Sequence, residues 1–294
     1  MSWLELKLAL GKLDPEKVED ALLEAGAVSV TLEDAGDEPL YEPDPLKPPL
    51  WSDTRLTALF AADADMDGVK AFLLAALKLP ALPAHQVRPL ADRDWTREWL
   101  KDFKPMRFGR RLWVCPTGYT PPDPAAVNLS LDPGLAFGTG THATTALCLE
   151  WLDGATLAGG DVIDYGCGSG ILAIAAARLG ARRVRAVDTD PQALVATRDN
   201  AARNGVEGLI EVSAPEALGA GAADALLANI LAGPLMQLAP RLAGLIKPGG
   251  DLVLSGILES QEADIRAAYE TQFEAFEVAK REDWLRIKAV RKAH

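Results

Sequence analysis

Asp164-Tyr165-Gly166-Cys167-Gly168-Ser169-Gly170 decides the fold. It follows the apolar pair Val162-Ile163 and runs into Ile171-Leu172-Ala173-Ile174-Ala175-Ala176-Ala177. That order predicts a buried strand, a glycine turn and a helix start. Glycine suits a turn where the backbone takes positive φ or lets a ligand come close. A helix N-terminus adds free N–H groups and the positive end of a dipole. Asp188 follows further along, closing the segment Val184-Arg185-Ala186-Val187. A carboxylate at the tip of the next strand can accept hydrogen bonds from ribose hydroxyls. The pattern points to an adenosine-containing cofactor on an open α/β sheet.

The alternation continues outward from this turn. Gly180 ends the first helix, and Asp190-Pro191 starts the next, which runs to Gly205. Strands are expected at 209–212, 225–228 and 252–255, and helices at 234–246 and 259–272. Lys247-Pro248-Gly249-Gly250 is expected to stop the first of these helices. Segments 276–280 and 285–291 read as a closing antiparallel pair. Regular β/α alternation predicts an α/β, doubly wound, mostly parallel sheet.

The first third reads differently. Leu4, Leu6, Leu8 and Leu10 alternate with Glu5 and Lys7, a half-buried strand. Asp14-Pro15-Glu16 is an N-cap, an N1 proline and an acidic first turn. Further strands at 27–32, 55–60 and 86–90 and a helix at 67–79 complete β-α-β-β-α-β, a small α+β ferredoxin-like domain. The expected organisation is a substrate-recognition domain over 1–90, a linker helix over 91–108 and a catalytic domain over 109–294. Trp95, Trp99 and Phe103 recur every four residues and so share one face of the linker helix. Lys101, Lys104, Arg107, Arg110 and Arg111 form a local basic patch.

A nicotinamide-binding fold would want G-x-G-x-x-G. Here the spacing is G-x-G-x-G over Gly166, Gly168 and Gly170, preceded by Asp164. An acid beside a pyrophosphate sets negative charge against negative charge. It suits the positively charged methionine end of S-adenosylmethionine. This D-x-G-x-G-x-G, with Asp188 and the late Pro248-Gly249-Gly250, resembles the class I S-adenosylmethionine-dependent methyltransferases.

The resemblance is closer still over four segments: 131–145, 162–174, 188–206 and Asn229-Ile230-Leu231-Ala232-Gly233-Pro234-Leu235. With the linker from Asp94-Trp95 to Lys104-Pro105 and the ferredoxin-like front, nearly the whole chain is similar to the PrmA-type methyltransferases of ribosomal protein L-eleven. One departure is Ala143, where the family usually has proline between the His and the two Thr.

The resemblance implies roles. Thr145 would contact the cofactor from the helix preceding the cofactor strand. Gly166 and Gly168 would let backbone approach it, Asp188 would hold its ribose, and Asn229 would sit beside it as the catalytic residue. Related amino-methyltransferases place Pro-Pro and an aromatic after that Asn, whereas this chain has Ile230-Leu231. The implied reaction is methylation of lysine side chains and the N-terminal amine of the large-subunit ribosomal protein. His142 is a candidate base. The rivals are an RNA methyltransferase, an NAD-dependent dehydrogenase and a non-catalytic binding protein on the same fold.

Bulk composition fits the first reading. The chain has 294 residues, 49% of them hydrophobic, and a net charge of −12. Such acidity disfavours a direct nucleic-acid surface and suits a basic protein partner. The acidic excess is strongest in the first 90 residues, which carry 8 Lys and Arg against 16 Asp and Glu. Cys115, Cys148 and Cys167 form no C-x-x-C pair, so neither disulfide nor metal is expected, and a reducing cytoplasm fits. No membrane segment is expected, and a monomer is.

Overall fold

The computed structural model describes residues 3–36, 51, 53–90, 104–132, 142–218 and 222–293. The chain divides into two compact units, Met1–Trp95 and Thr96–His294.

The first unit holds strands β1 (Trp3–Ala9), β2 (Ser29–Asp34), β3 (Thr54–Ala61) and β4 (His85–Leu90) and helices α1 (Pro15–Glu24) and α2 (Met66–Ala76). The sheet order is β2-β3-β1-β4, every neighbour antiparallel. This is the ferredoxin-like order that the β-α-β-β-α-β pattern predicts. The Asp14 cap forms as expected, accepting from the Glu16 N–H, and the structure adds a second cap, Asp65, which accepts from the Asp67 and Gly68 N–H groups. Leu6 and Leu8 of β1 and Leu56, Ala58 and Phe60 of β3 bury against Val18, Leu22 and Leu73 of the helices.

The second unit opens with a small sheet of β5 (Met106–Phe108), β6 (Leu112–Cys115) and β7 (Val127–Ser130). The linker-helix reading of 91–108 meets a strand at 106–108, and residues 91–103, with Trp95, Trp99 and Phe103, lie outside those described. β5 and β6 pair antiparallel because Gly109 takes φ +65° between them. The turn rests on buried Asp153 in the last turn of α3 (Ala143–Gly154), which accepts from the Arg110 and Arg111 N–H groups at 2.7 and 3.2 Å.

Seven strands form the main sheet: β8 (Asp161–Tyr165), β9 (Arg183–Val187), β10 (Ile210–Ser213), β11 (Ala223–Asn229), β12 (Ile246–Leu258), β13 (Phe273–Arg281) and β14 (Trp284–Arg291). Their order is β10-β9-β8-β11-β12-β14-β13. The first five are parallel, and β14 enters antiparallel between β12 and β13. Strands buried on both faces need apolar residues at every position. Accordingly Val162, Val184, Ala186, Ala225, Leu227 and Val253 join one core, which also holds residues of α3 and of α4 (Ile171–Arg178). Ile163, Val187, Leu226, Ala228, Leu252 and Leu254 join the other, with α6 (Ala232–Gly244) and α7 (Glu262–Tyr269). Helix α5 (Pro191–Arg203) connects β9 to β10.

The stop expected at Lys247-Pro248-Gly249-Gly250 lies inside β12. Helix α6 has already ended at Gly244, and the register against β11 jumps at the run, so its extra residues form a bulge within the strand.

Strand order reverses between β8 and β11, because β8 to β10 step one way and β11 to β12 the other. In an open α/β sheet the ligand crevice lies beyond the carboxyl ends of the strands at such a point. Tyr165, Val187 and Asn229 end β8, β9 and β11 there.

Asp153→Ala leaves two backbone donors beside α3 without their acceptor. The expected loss is about 1–3 kcal/mol of stability, read by urea or thermal unfolding. A loss under about 0.5 kcal/mol would show that water replaces the carboxylate without penalty.

Candidate active site

The turn after β8 hangs on the end of β9. The Gly166 and Cys167 N–H groups both donate to the Val187 carbonyl, at 2.8 and 3.0 Å. The Gly168 N–H donates to Asp188 Oδ2 at 2.9 Å, and the Asp190 N–H donates to Asp188 Oδ1 at 3.0 Å. Asp188 is thereby held against the glycine turn at the tip of β9. Two glycines have identifiable reasons. Gly166 has φ +83°, and an added Cβ would overlap the Ile230 Cγ2 methyl. Gly170 is the N-cap of α4 at φ +80°, and its Cβ would lie 2.8 Å from Thr197 Cγ2. A side chain at either place is opposed twice, by backbone and by contact.

The Ile230 contact joins this turn to the end of β11. The Asn229 Nδ2 donates to Thr145 Oγ1 at 3.3 Å, so Asn229 bridges β11 to α3. Thr145 is fully buried. Next to Asn229 in the sheet is Ser255, also fully buried, whose hydroxyl lies 3.3 Å from the Thr144 carbonyl and 3.0 Å from the Leu285 carbonyl. The sequence-derived residues Gly166, Gly168 and Asp188 thus form one group and Thr145 and Asn229 another, with Ile230 between them. Residues 133–141, including most of the segment that carries the family resemblance before α3, lie outside the described residues.

His142 is the N-cap of α3. Its Nδ1 accepts from the Thr144 N–H at 3.4 Å and lies 2.8 Å from Thr144 Oγ1. An N–H only donates, so Nδ1 turns its lone pair to the helix and the ring proton is assigned to Nε2. The ring also meets Trp284 edge to face, with centroids 5.1 Å apart. This is a structural cap, and the geometry gives no proton-abstracting arrangement on that ring.

Burial pushes the Cys148 and Cys167 thiols up to about 12, so neither is a thiolate near neutral pH. For Cys167 the nearby Asp164 adds to the effect. Nucleophilic cysteine chemistry, as a cytosine-carbon methyltransferase would need, has no candidate in these two.

Several contributors escaped the sequence reading. Thr197 donates to the Gly168 carbonyl at 3.0 Å, and Asn200 Nδ2 donates to the Ser169 carbonyl at 2.9 Å. Their signal was present as polar residues at helical spacing on the side of α5 that ought to be apolar.

Asp164 is 1% exposed. Its Oδ2 accepts from the Ala173 N–H at 2.9 Å, in the first turn of α4, while Oδ1 is buried with no partner among the described residues. Burial pushes this carboxyl up to about 7, the Ala173 hydrogen bond opposing and Asp188 adding to the rise. The folded pKa lies above the ordinary 3.8, so Asp164's contribution to stability is fully present below about pH 4. It is lost as pH rises through about 7. Melting temperatures of the cofactor-free chain should therefore fall relative to Asp164→Asn as pH rises through that window. Parallel pH profiles of the two proteins would refute the buried-acid account.

Known proteins carry the same architecture. The family model described as ribosomal protein L11 methyltransferase (PrmA) matches residues 2–292. A ribosomal protein L11 methyltransferase of Pseudomonas aeruginosa is 58% identical over 294 residues, covering all of both chains. One from Azotobacter vinelandii is 55% identical over 293 residues, 99% of this chain and all of the relative. The crystal structure of a ribosomal protein L11 methylase from Lactobacillus delbrueckii subsp. bulgaricus is 33% identical, with a TM-score of 0.58. It covers 65% of this chain and 100% of that one. With its glycine turn, Asp188 and Asn229 gathered at the switch point of the sheet, the chain belongs to the ribosomal protein L11 methyltransferase (PrmA) family.

Proposed function

We propose that this protein transfers methyl groups from S-adenosylmethionine to lysine side chains and the N-terminal amine of large-subunit ribosomal protein L11, in the cytoplasm. The observation that carries the reading is the convergence of an acid-preceded glycine turn, Asp188 and Asn229 at the β8/β11 switch point, in a full-length member of that family.

The chemistry of the turn fits S-adenosylmethionine. Asp164 Oδ1 is a buried acceptor without a partner, the natural complement of a positive charge. Gly166 and Gly168 have no side chains to block a nucleoside. Asp188 spends one acceptor position per oxygen on backbone N–H groups and keeps lone pairs for ribose hydroxyls. When bound, the cofactor supplies a methyl group already activated on a sulfonium.

The chain's own residues then have two tasks, alignment and management of a proton. In-line geometry is the larger share, because the donor needs no further activation. Asn229 gives its Nδ2 to Thr145, which leaves Oδ1 as an acceptor for an N–H of the incoming amine. One such bond orients the nitrogen lone pair. Thr145, fully buried, acts by fixing the rotamer of Asn229. The amine must be neutral to attack. For a lysine of ordinary pKa ~10.4 that costs roughly 4.6 kcal/mol at pH 7, and for an α-amine near ~8 about 1.4 kcal/mol. Burial beside a cation lowers either cost. With His142 committed as a cap, water takes the proton.

The domain expected over residues 1–90 serves in this reading to grip the basic ribosomal protein, and residues 109–294 carry the chemistry. The acidic excess of the first 90 residues supports it. Glu16 and Asp20 are exposed on α1. An unchanged KM for the ribosomal protein after neutralising both would count against that assignment.

Two measurements test the whole. Intact-mass analysis of the purified ribosomal protein should show added methyl groups after reaction, and ribosomal RNA treated in parallel should gain no label. Asp188→Ala should weaken S-adenosylmethionine binding by roughly 1.5–3 kcal/mol, about 10- to 150-fold, in calorimetry. Undiminished binding would remove Asp188 from the site.

A further inference from the structure

Thr197, Asn200 and Asn204 stand at i, i+3 and i+7, one face of α5 extended through its C-cap. All three are at least nine-tenths buried, at 0, 8 and 8% exposure. A buried helix face made of polar side chains is costly unless each hydrogen bond is made. Here they are made, chiefly to backbone, and the Thr197 hydroxyl also lies 3.3 Å from Cys167 Sγ. Thr197 holds the Gly168 carbonyl and Asn200 the Ser169 carbonyl, at 3.0 and 2.9 Å. Asn200 Oδ1 accepts from Arg203, which fixes the orientation of its amide. Asn204 Oδ1 accepts from the Ser130 N–H at 2.7 Å, and its Nδ2 donates to the Ser130 carbonyl at 2.8 Å. Asn204 thus pairs with the last residue of β7 as a neighbouring strand would. Arg203 adds an ion pair to Asp132 at 3.7 Å.

We propose that Thr197 and Asn200 are positioning residues for the methyl donor, acting through the backbone of the glycine turn. The proposal rests on the reading of that turn as the S-adenosylmethionine site. In a trans peptide the carbonyl and the following N–H point opposite ways. Holding the Gly168 and Ser169 carbonyls toward α5 therefore fixes the two following peptide planes, and the Gly170 N–H closes the turn on the Cys167 carbonyl at 2.7 Å. The shape of the turn is set from behind, by side chains that touch no ligand. Through Asn204 the same helix face holds the end of β7.

The test uses the full-length chain and two near-isosteric changes at one position. Thr197→Val keeps the shape and removes the donor; Thr197→Ser keeps the donor and removes the methyl. Calorimetry with S-adenosylhomocysteine should give a Kd raised about tenfold for Thr197→Val, the size of one lost net hydrogen bond, and a wild-type Kd for Thr197→Ser. For Thr197→Val the KM for S-adenosylmethionine should rise in step. The kcat at saturating donor and the KM for the ribosomal protein should stay within about twofold. A wild-type Kd for Thr197→Val overturns the proposal, even if its melting temperature falls. Equal weakening by both variants also overturns it, because methyl packing would then be the cause. If Thr197→Val does not fold, Asn200→Ala removes the second carbonyl anchor, and wild-type affinity there is equally fatal. A wild-type chain that binds no S-adenosylhomocysteine overturns the site reading itself, and this proposal with it.

Discussion

The Val187 carbonyl accepts two backbone N–H groups, from Gly166 and Cys167, and the site depends on that junction. It fastens the turn after β8 to the end of β9. The two strands are neighbours in the sheet, so the turn cannot move without breaking parallel register. Asp188 is the next residue, and its carboxylate continues the same attachment to the Gly168 N–H. The acid proposed to hold the ribose could have been carried on a free loop. Here its position is set by sheet geometry, which removes most of the ordering entropy that binding would otherwise cost.

The turn is supported on three sides by different chemistry. Beneath it Asp164 caps α4 through the Ala173 N–H. Behind it α5 takes the two carbonyls. In front, the Ile230 methyl occupies the space above Gly166. The first two are polar contacts in a buried setting, where an unmade hydrogen bond costs more than a made one gains. The consequence is a turn with one low-energy arrangement. Asp164 is the exception, because one of its oxygens is left without a partner among the described residues. Functional sites keep such unmet groups where a ligand completes them.

Legibility in the sequence followed the range of the interactions. The glycine spacing, the acid before it and Asp188 were readable because each belongs to one strand and the turn that follows it. The front sheet was readable from period-two leucines and the Asp14 cap. The bulge at Lys247-Pro248-Gly249-Gly250 was not, because a proline-glycine run has the same local signal whether it ends an element or interrupts one. β5 and β7 were missed as well. They are three and four residues long, too short for periodicity, and the turn from β5 to β6 depends on Asp153, more than forty residues away. Thr197, Asn200 and Asn204 show the same limit in the site: their spacing is local, and their partners are not.

The end of β11 shows how a family can keep a reaction while changing its walls. An amine pocket built on Pro-Pro and an aromatic confines the nitrogen by stacking. This chain has Ile230-Leu231, so confinement has to come from elsewhere. Ile230 turns inward, against Gly166, and is spent on holding the two halves of the site together. Leu231 is exposed at the N-cap of α6. An aliphatic lip of that kind can lie along the methylene stem of a lysine, but it grips no particular geometry. A site with a fixed donor face and a loose acceptor wall suits the proposed transfer to several different amines of one protein. Selection among them then falls to how the partner is held, and the acidic first unit is the part of the chain suited to hold a basic one.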